Sequence, residues 1–284
     1  MMEQGMITKK KRSTKSILFI VVSILVSVII LVVSLFPLVW MILSSFKTQR
    51  EVSAGAFLPS SIDFFNYQEL SLRGFWQSLG MTFLGAIISM TGCIVVNTMA
   101  AYAFARMDFY LKKFLWACIL LPMFVPGITL LIPLYLVAAD LSLLNSLPGL
   151  ILPGVAQAVH VFFMRQFFLN IPNSLEEAAA LDGAGKFRTF IHLFLPLSVG
   201  PIVILAISAF LGYWNAFMWP AMIIDGDTNP LRQVMQVIYS FNRDRNKNWP
   251  LVMAGSVIAT AIPFAIYLVF QKQIVESLKI SGIK

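Results

Sequence analysis

Groups that do chemistry are scarce in this sequence. It holds two histidines, two cysteines and only 12% charged residues. Two His and two Cys, far apart in the chain, offer no metal-ligand cluster and no nucleophile, base and orienting partner, which argues against an enzyme. Cys93 and Cys118 both fall in apolar stretches, so they are expected to be buried, reduced thiols rather than a disulfide framework. The acidic start of Asp225-Gly226-Asp227-Thr228-Asn229 imitates a calcium loop, but Pro230 stands where such a loop needs glycine and Gln236 where it needs glutamate. Gly183-Ala184-Gly185-Lys186 imitates a phosphate loop, yet Ala180 and Phe187 occupy positions that need glycine and Ser or Thr, and no strand precedes it.

What is abundant is apolar surface. A chain of 284 residues that is 58% hydrophobic cannot hide that surface in an ordinary soluble core, which places it in a bilayer. Apolar runs long enough to cross a hydrocarbon core occur at about 17–43, 81–105, 114–138, 147–168, 195–219 and 250–271, predicting an all-α protein of six spans. The basic head (Lys9, Lys10, Lys11, Arg12, Lys15) precedes a run too long for a signal peptide and is read as preceding a retained span. An even number of spans puts both termini on one side. With the N-terminus, 106–113, 165–188 and the C-terminus assigned to the cytoplasm, that side collects 14 of the 21 Lys and Arg, the bias expected of cytoplasmic loops. The net charge of +8 therefore reports topology and does not call for nucleic acid.

Proline and glycine recur inside the spans (Pro122, Pro126, Gly127, Pro148, Pro153, Gly154, Pro201, Pro263) and are expected to kink them. No Asp, Glu or Lys lies within a predicted span; the polar candidates there are Asn97, His160, Arg165 and Asn215. An ion-coupled transporter usually keeps ionisable groups near the bilayer midplane, so energy for transport is expected to come from another subunit. His160 can line a pathway or be satisfied by a neighbouring carbonyl.

Polarity is organised in one place, Ser174 to Pro196. Pro172 precedes it, and Ser174 with Glu177 spells a capping box that predicts a short helix beginning near Leu175. Glu176 and Glu177 suit its positive end, Ala178, Ala179 and Ala180 offer a smooth face, and Gly183 and Gly185 stop it. Such a helix has nothing in its own chain to pack against. An interfacial helix lying on the bilayer would be basic, whereas this one is acidic.

The run Glu177-Ala178-Ala179 through Asp182-Gly183 to Leu195-Pro196 resembles the "EAA" loop of the permease subunits of bacterial ATP-binding-cassette importers. The likeness extends over nearly the whole chain, through Ala101 to Arg106, Ile132-Pro133-Leu134-Tyr135, Arg165 to Phe168, Trp214-Asn215 and Trp219-Pro220, and is similar to the second, six-span permease of maltose-type sugar importers. It implies a type I importer permease fold in a bacterial cytoplasmic membrane: a basic N-terminus (1–16), a six-span domain (17–271) with a coupling loop (172–196), and a cytoplasmic tail (272–284). The tail matches the family's ending only loosely.

The resemblance further implies that Glu177, Ala178, Ala179, Asp182 and Gly183 dock on a separate ATPase, which handles ATP and magnesium, so that this chain needs no cofactor. Expected partners are a second, similar permease, two ATPase copies and an extracytoplasmic solute-binding protein. A sugar or oligosaccharide would cross between the two permeases, with Asn97, Tyr135, Trp214 and Asn215 as candidate lining residues. The alternatives are a polyol, glycerol phosphate or another small solute, or a self-sufficient secondary transporter.

Overall fold

The computed structural model describes residues 14–243 and 248–282. The head at Lys9, Lys10, Lys11 and Arg12 and the last two residues of the tail lie outside the described residues. Every described element is a helix, as expected where lipid leaves backbone N–H and C=O groups no partner but their own chain.

The first span is α1 (Thr14–Ser45). Two short helices follow, α2 (Gln49–Ser53), closed by a capping box between Thr48 and Glu51, and α3 (Phe65–Leu72). Gly74, at φ 69°, then turns the chain into α4 (Phe75–Arg106), a continuous 32-residue helix. Its length of about 48 Å exceeds the roughly 30 Å hydrocarbon core, enough to span it with tilt.

The next three crossings are broken. Helix α5 (Lys112–Leu120) passes through 3-10 turns at Leu121–Phe124 and Gly127–Leu130 into α6 (Leu131–Asp140), with a bend of 104°. Pro122 and Pro126 supply no N–H to a helical ladder, so the run expected at 114–138 is a V rather than a rod. Helices α7 (Leu147–Val155) and α8 (Ala158–Leu169) meet at 42° just after Pro153 and Gly154.

After the short polar helix α9 (Asn173–Leu181), the chain re-enters through α10 (Lys186–Thr189), a π turn at Phe190–Phe194 and α11 (Leu195–Leu197). It then bends by 83° into α12 (Val199–Trp214). Pro196 cannot donate to the ladder at the π turn, and Ser198 Oγ bonds back to Phe194 O at 2.6 Å where the axis turns. Helices α13 (Met218–Ile223) and α14 (Val234–Arg243) cap the far end, and α15 (Trp249–Gly282) runs unbroken past Gln271. Three continuous helices and three bent pairs give up to six crossings.

Helix α4 is the centre of the packing. Cys93, Ala101 and Tyr102 meet Met164, Phe168, Phe190, Phe194 and Leu205 near the α9 end. Ala86 joins Leu150, Ile151, Phe210 and Trp214 further along. Small residues on α4 let the other helices close in. The tightest place is Gly85, where an added Cβ would lie 2.2 Å from Tyr213 Oη. Helix α1 stands apart, packing chiefly on α15, with its apolar stretch wholly uncovered.

Candidate coupling surface and substrate pathway

Helix α9 starts at Asn173, with Pro172 extended before it (φ −57°, ψ 135°). The expected capping box does not form. Because the helix begins two residues earlier than expected, Ser174 is its second residue and cannot serve as a cap. Glu176, rather than Glu177, is the carboxylate used internally: it pairs with Lys186 at 2.7 Å and lies 3.9 Å from Arg106.

The stop is as expected. Gly183 takes φ +75°, Gly183 N–H donates to Ala180 O and Ala184 N–H to Ala179 O, the pair of bonds that closes a Schellman turn. Gly185 does not end α9; it precedes α10.

This geometry sorts the five proposed coupling residues. Glu177, Ala178, Asp182 and Gly183 are exposed, and Ala179 is half-buried. Among the described residues no hydrogen bond or ion pair engages the side chain of Glu177 or Asp182. Leu181, which sequence reasoning passed over, is 89% exposed one turn from Glu177 and Ala178. Its signal was a bulky apolar residue directly before the acidic Asp182 at the end of a polar helix. The outer face of α9 is thus an acidic and apolar patch that its own chain leaves uncovered.

One guanidinium holds the base of this helix, and a second ties the neighbouring α8 to α4 and α5. Arg106, the last residue of α4, donates to Phe168 O at 2.6 Å and also to Ile171 O and Asn173 Oδ1. Arg165 donates through Nε to Phe104 O at 3.1 Å and stacks on Trp116, 4.3 Å from the ring centre.

The four pathway candidates separate into two pairs. Asn97 is fully buried. Its amide donates to Cys93 O at 2.6 Å and Val155 O at 2.7 Å and accepts from Gln157 N–H at 3.0 Å, so it brackets the α7–α8 break. Trp214 is 1% exposed and donates to Ala259 O at 3.1 Å. Both face the chain's own core. Tyr135 is half-buried and Asn215 exposed, and these two remain available to a solute or a partner.

His160 is satisfied, though by side chains and not by a carbonyl: Cys93 Sγ lies 3.2 Å from Nδ1 and Ser208 Oγ 3.1 Å from Nε2. Cys93 is buried as expected, but Cys118 is exposed because the α5–α6 V has no neighbour over that face. Neither is paired. The calcium imitation is a plain turn, with Asp225 Oδ1 accepting from Gly226 N–H and Asp227 paired with Arg232 at 3.4 Å. Among the described residues no group of His, Cys, Asp and Glu could hold a metal ion.

Residues 97–279, from the Asn97 bracket through α9 into α15, match the family described as "Binding-protein-dependent transport system inner membrane component". The chain belongs to this family. As such a permease it is a multi-pass inner-membrane transport subunit, and membership implies in general a partner permease, an ATPase and a solute-binding protein.

The permease is 32% identical to the diacetylchitobiose uptake system permease protein NgcG of Streptomyces coelicolor, over 89% of this chain and 84% of that one. It is 28% identical to the arabinooligosaccharides transport system permease protein AraQ of Halalkalibacterium halodurans, over 89% and 92%. The sn-glycerol-3-phosphate transport system permease protein UgpE of Rhizobium meliloti is 32% identical over 75% of this chain and 78% of its own. Among solved structures, a bacterial ABC transporter involved in the import of the acidic polysaccharide alginate superposes with a TM-score of 0.79. It covers 93% of this chain and 99% of its own at 21% identity, and so shares the type I importer permease fold.

Proposed function

We propose that this permease is the membrane-spanning subunit of an ATP-driven importer of a sugar or oligosaccharide, forming half of the pathway beside a second, similar permease. Both termini and α9 face the cytoplasm. There α9 receives the motion of a pair of ATPase subunits that handle ATP and magnesium, while an extracytoplasmic binding protein delivers the solute. The observation that carries this reading is the outer face of α9. Glu177, Ala178, Leu181 and Asp182 are bare and unpaired, although the base of the same helix is held to the membrane bundle. A helix so held, with nothing of its own on its outer side, suits transmission of force from another subunit.

A neutral solute is favoured over a phosphate ester, the second reading that the relative named for sn-glycerol-3-phosphate keeps open. A phosphate would need a spare cation in the pathway. Arg106 and Arg165 are already committed to backbone carbonyls of Phe168, Ile171 and Phe104. Tyr135 and Asn215 offer an aromatic face and amide groups, which suit a sugar's apolar ring face and its hydroxyls.

The test is reconstitution with the ATPase that co-purifies with the native chain. Uptake of labelled oligosaccharide should require ATP. Glu177→Lys should insert normally yet lose ATPase association, because the side chain has no partner among the described residues. Solute uptake by the chain alone in ATP-free vesicles would defeat the proposal.

A further inference from the structure

Arg106 lies where four parts of the chain meet. It ends α4, and its side chain is only 7% exposed. Nη2 donates to Phe168 O at 2.6 Å and to Ile171 O, at the end of α8 and just beyond it. Nη1 donates to Asn173 Oδ1, the first residue of α9, and lies 3.9 Å from Glu176. The guanidinium carbon sits 5.2 Å from the ring centre of Phe194, in the π turn that begins the fifth crossing. One turn back on α4, Tyr102 packs on Phe168, Phe190 and Phe194, so an aromatic cluster backs the same junction.

The chemistry needs arginine. A guanidinium is a rigid planar fork with five donors and a permanent charge, able to serve acceptors in several directions at once. The carbonyls at the end of α8 carry the negative end of that helix's dipole and favour a cation. A lysine would bring the charge without the fork.

We infer that Arg106 is a positioning residue that makes α9, α4, the end of α8 and the start of the fifth crossing move as one body. Resting on the proposed coupling role of α9, this assigns the route by which motion there enters the membrane: straight into α4, not through the connector 170–172. Because α4 also holds the α7–α8 break through Asn97, displacement of α9 reaches the middle of the bundle along one continuous helix.

The experiment uses the reconstituted complex and reads solute imported per ATP hydrolysed, together with spin-label distances between α9 and α4. With Arg106→Gln, ATPase association and hydrolysis should persist. Import per ATP should fall about fivefold or more, the lower end of what coupling between two sites is worth, and the distance distribution should broaden.

Arg106→Lys should recover only part of the ratio, and full recovery would overturn the need for the fork. If Arg106→Gln does not accumulate, Asn173→Ala removes the hydrogen-bond acceptor at the start of α9, leaving only the longer Glu176 contact at 3.9 Å, and should lower the ratio while leaving hydrolysis intact. An unchanged ratio and an unchanged distance distribution in the variant that is read would overturn the inference. Absence of ATP-dependent uptake by the native complex would instead count against the coupling role itself.

Discussion

Replacing Asn97 with leucine separates a structural bracket from a solute contact. Leucine keeps the branched outline and the same number of side-chain heavy atoms, though its methyls are bulkier than the amide, while the bonds to Cys93 O, Val155 O and Gln157 N–H are lost. Cys93 O keeps its place in the α4 ladder, but Val155 O and Gln157 N–H flank a break and have no such substitute. Each backbone group left dry costs about 1–3 kcal/mol, which would give about 2–6 kcal/mol for the pair. Side-chain hydrogen bonds in membranes measure lower, about 0.6 kcal/mol on average, because the unfolded chain in lipid also finds partners.

Here the 42° bend between α7 and α8 is pinned by α4 and α12, so the folded variant cannot straighten to satisfy the pair internally. The cost should therefore fall near the lower end of the first range, about 2 kcal/mol. For a chain of this size that lowers the melting temperature by about 4–8 °C, measurable by tryptophan fluorescence in detergent. The KM for transport should stay unchanged in what remains folded. A native melting temperature with a raised KM would refute the reasoning and return Asn97 to the solute pathway.

Gly85→Ala should destabilise the bundle by about 1–3 kcal/mol, the usual cost of overpacking, since the new methyl would meet Tyr213 Oη at 2.2 Å. Adding Tyr213→Phe should recover only part of this, because ring carbons remain at 2.6 and 2.8 Å; full recovery in a double-mutant melting cycle would contradict that geometry. At the far end of the molecule, Glu51 is held well below the ordinary carboxylate value of 4.5, at about 2. The Ser60 hydroxyl is the largest single cause, followed by the Thr48 and Ser60 amides and the Thr48 hydroxyl. A depressed folded pKa means the loop's stabilisation is complete above pH 4.5 and is lost as pH falls through about 2. A carboxyl NMR titration should show this low midpoint, moving upward in Ser60→Ala; a midpoint at 4.5 in the native chain would show that these bonds do not form in solution.

Hydropathy alone was enough to count the crossings, because lipid demands long apolar runs whatever their neighbours. Helix α9 was legible for the opposite reason: polarity there had no competing explanation. What could not be read were features set by residues distant in sequence. The capping box from Ser174 to Glu177 obeyed every local rule and still did not form, since α9 starts at Asn173 and Glu176 turns to Lys186. The prolines near 122–126 announced a kink but not its 104°, which depends on what the V packs against.

Asn97 looked like a pathway group because intramembrane amides often are, yet its partners lie about 60 residues away, across a helix break that no periodicity reveals. Lys47 likewise reads as an ordinary loop lysine. It is buried to 1%, donating to Ala56 O and resting on the Trp40 ring.

Helix α1 carries a consequence for biogenesis. Its chief neighbour is α15, which begins only at Trp249, so α1, complete by Ser45, leaves the ribosome long before its partner is made. Until then it must wait alone among lipids, and a sequence apolar on every side is what such a wait demands. Truncation before α15 should therefore leave an inserted but undocked first span, a state that membrane quality control could recognise as an unfinished chain.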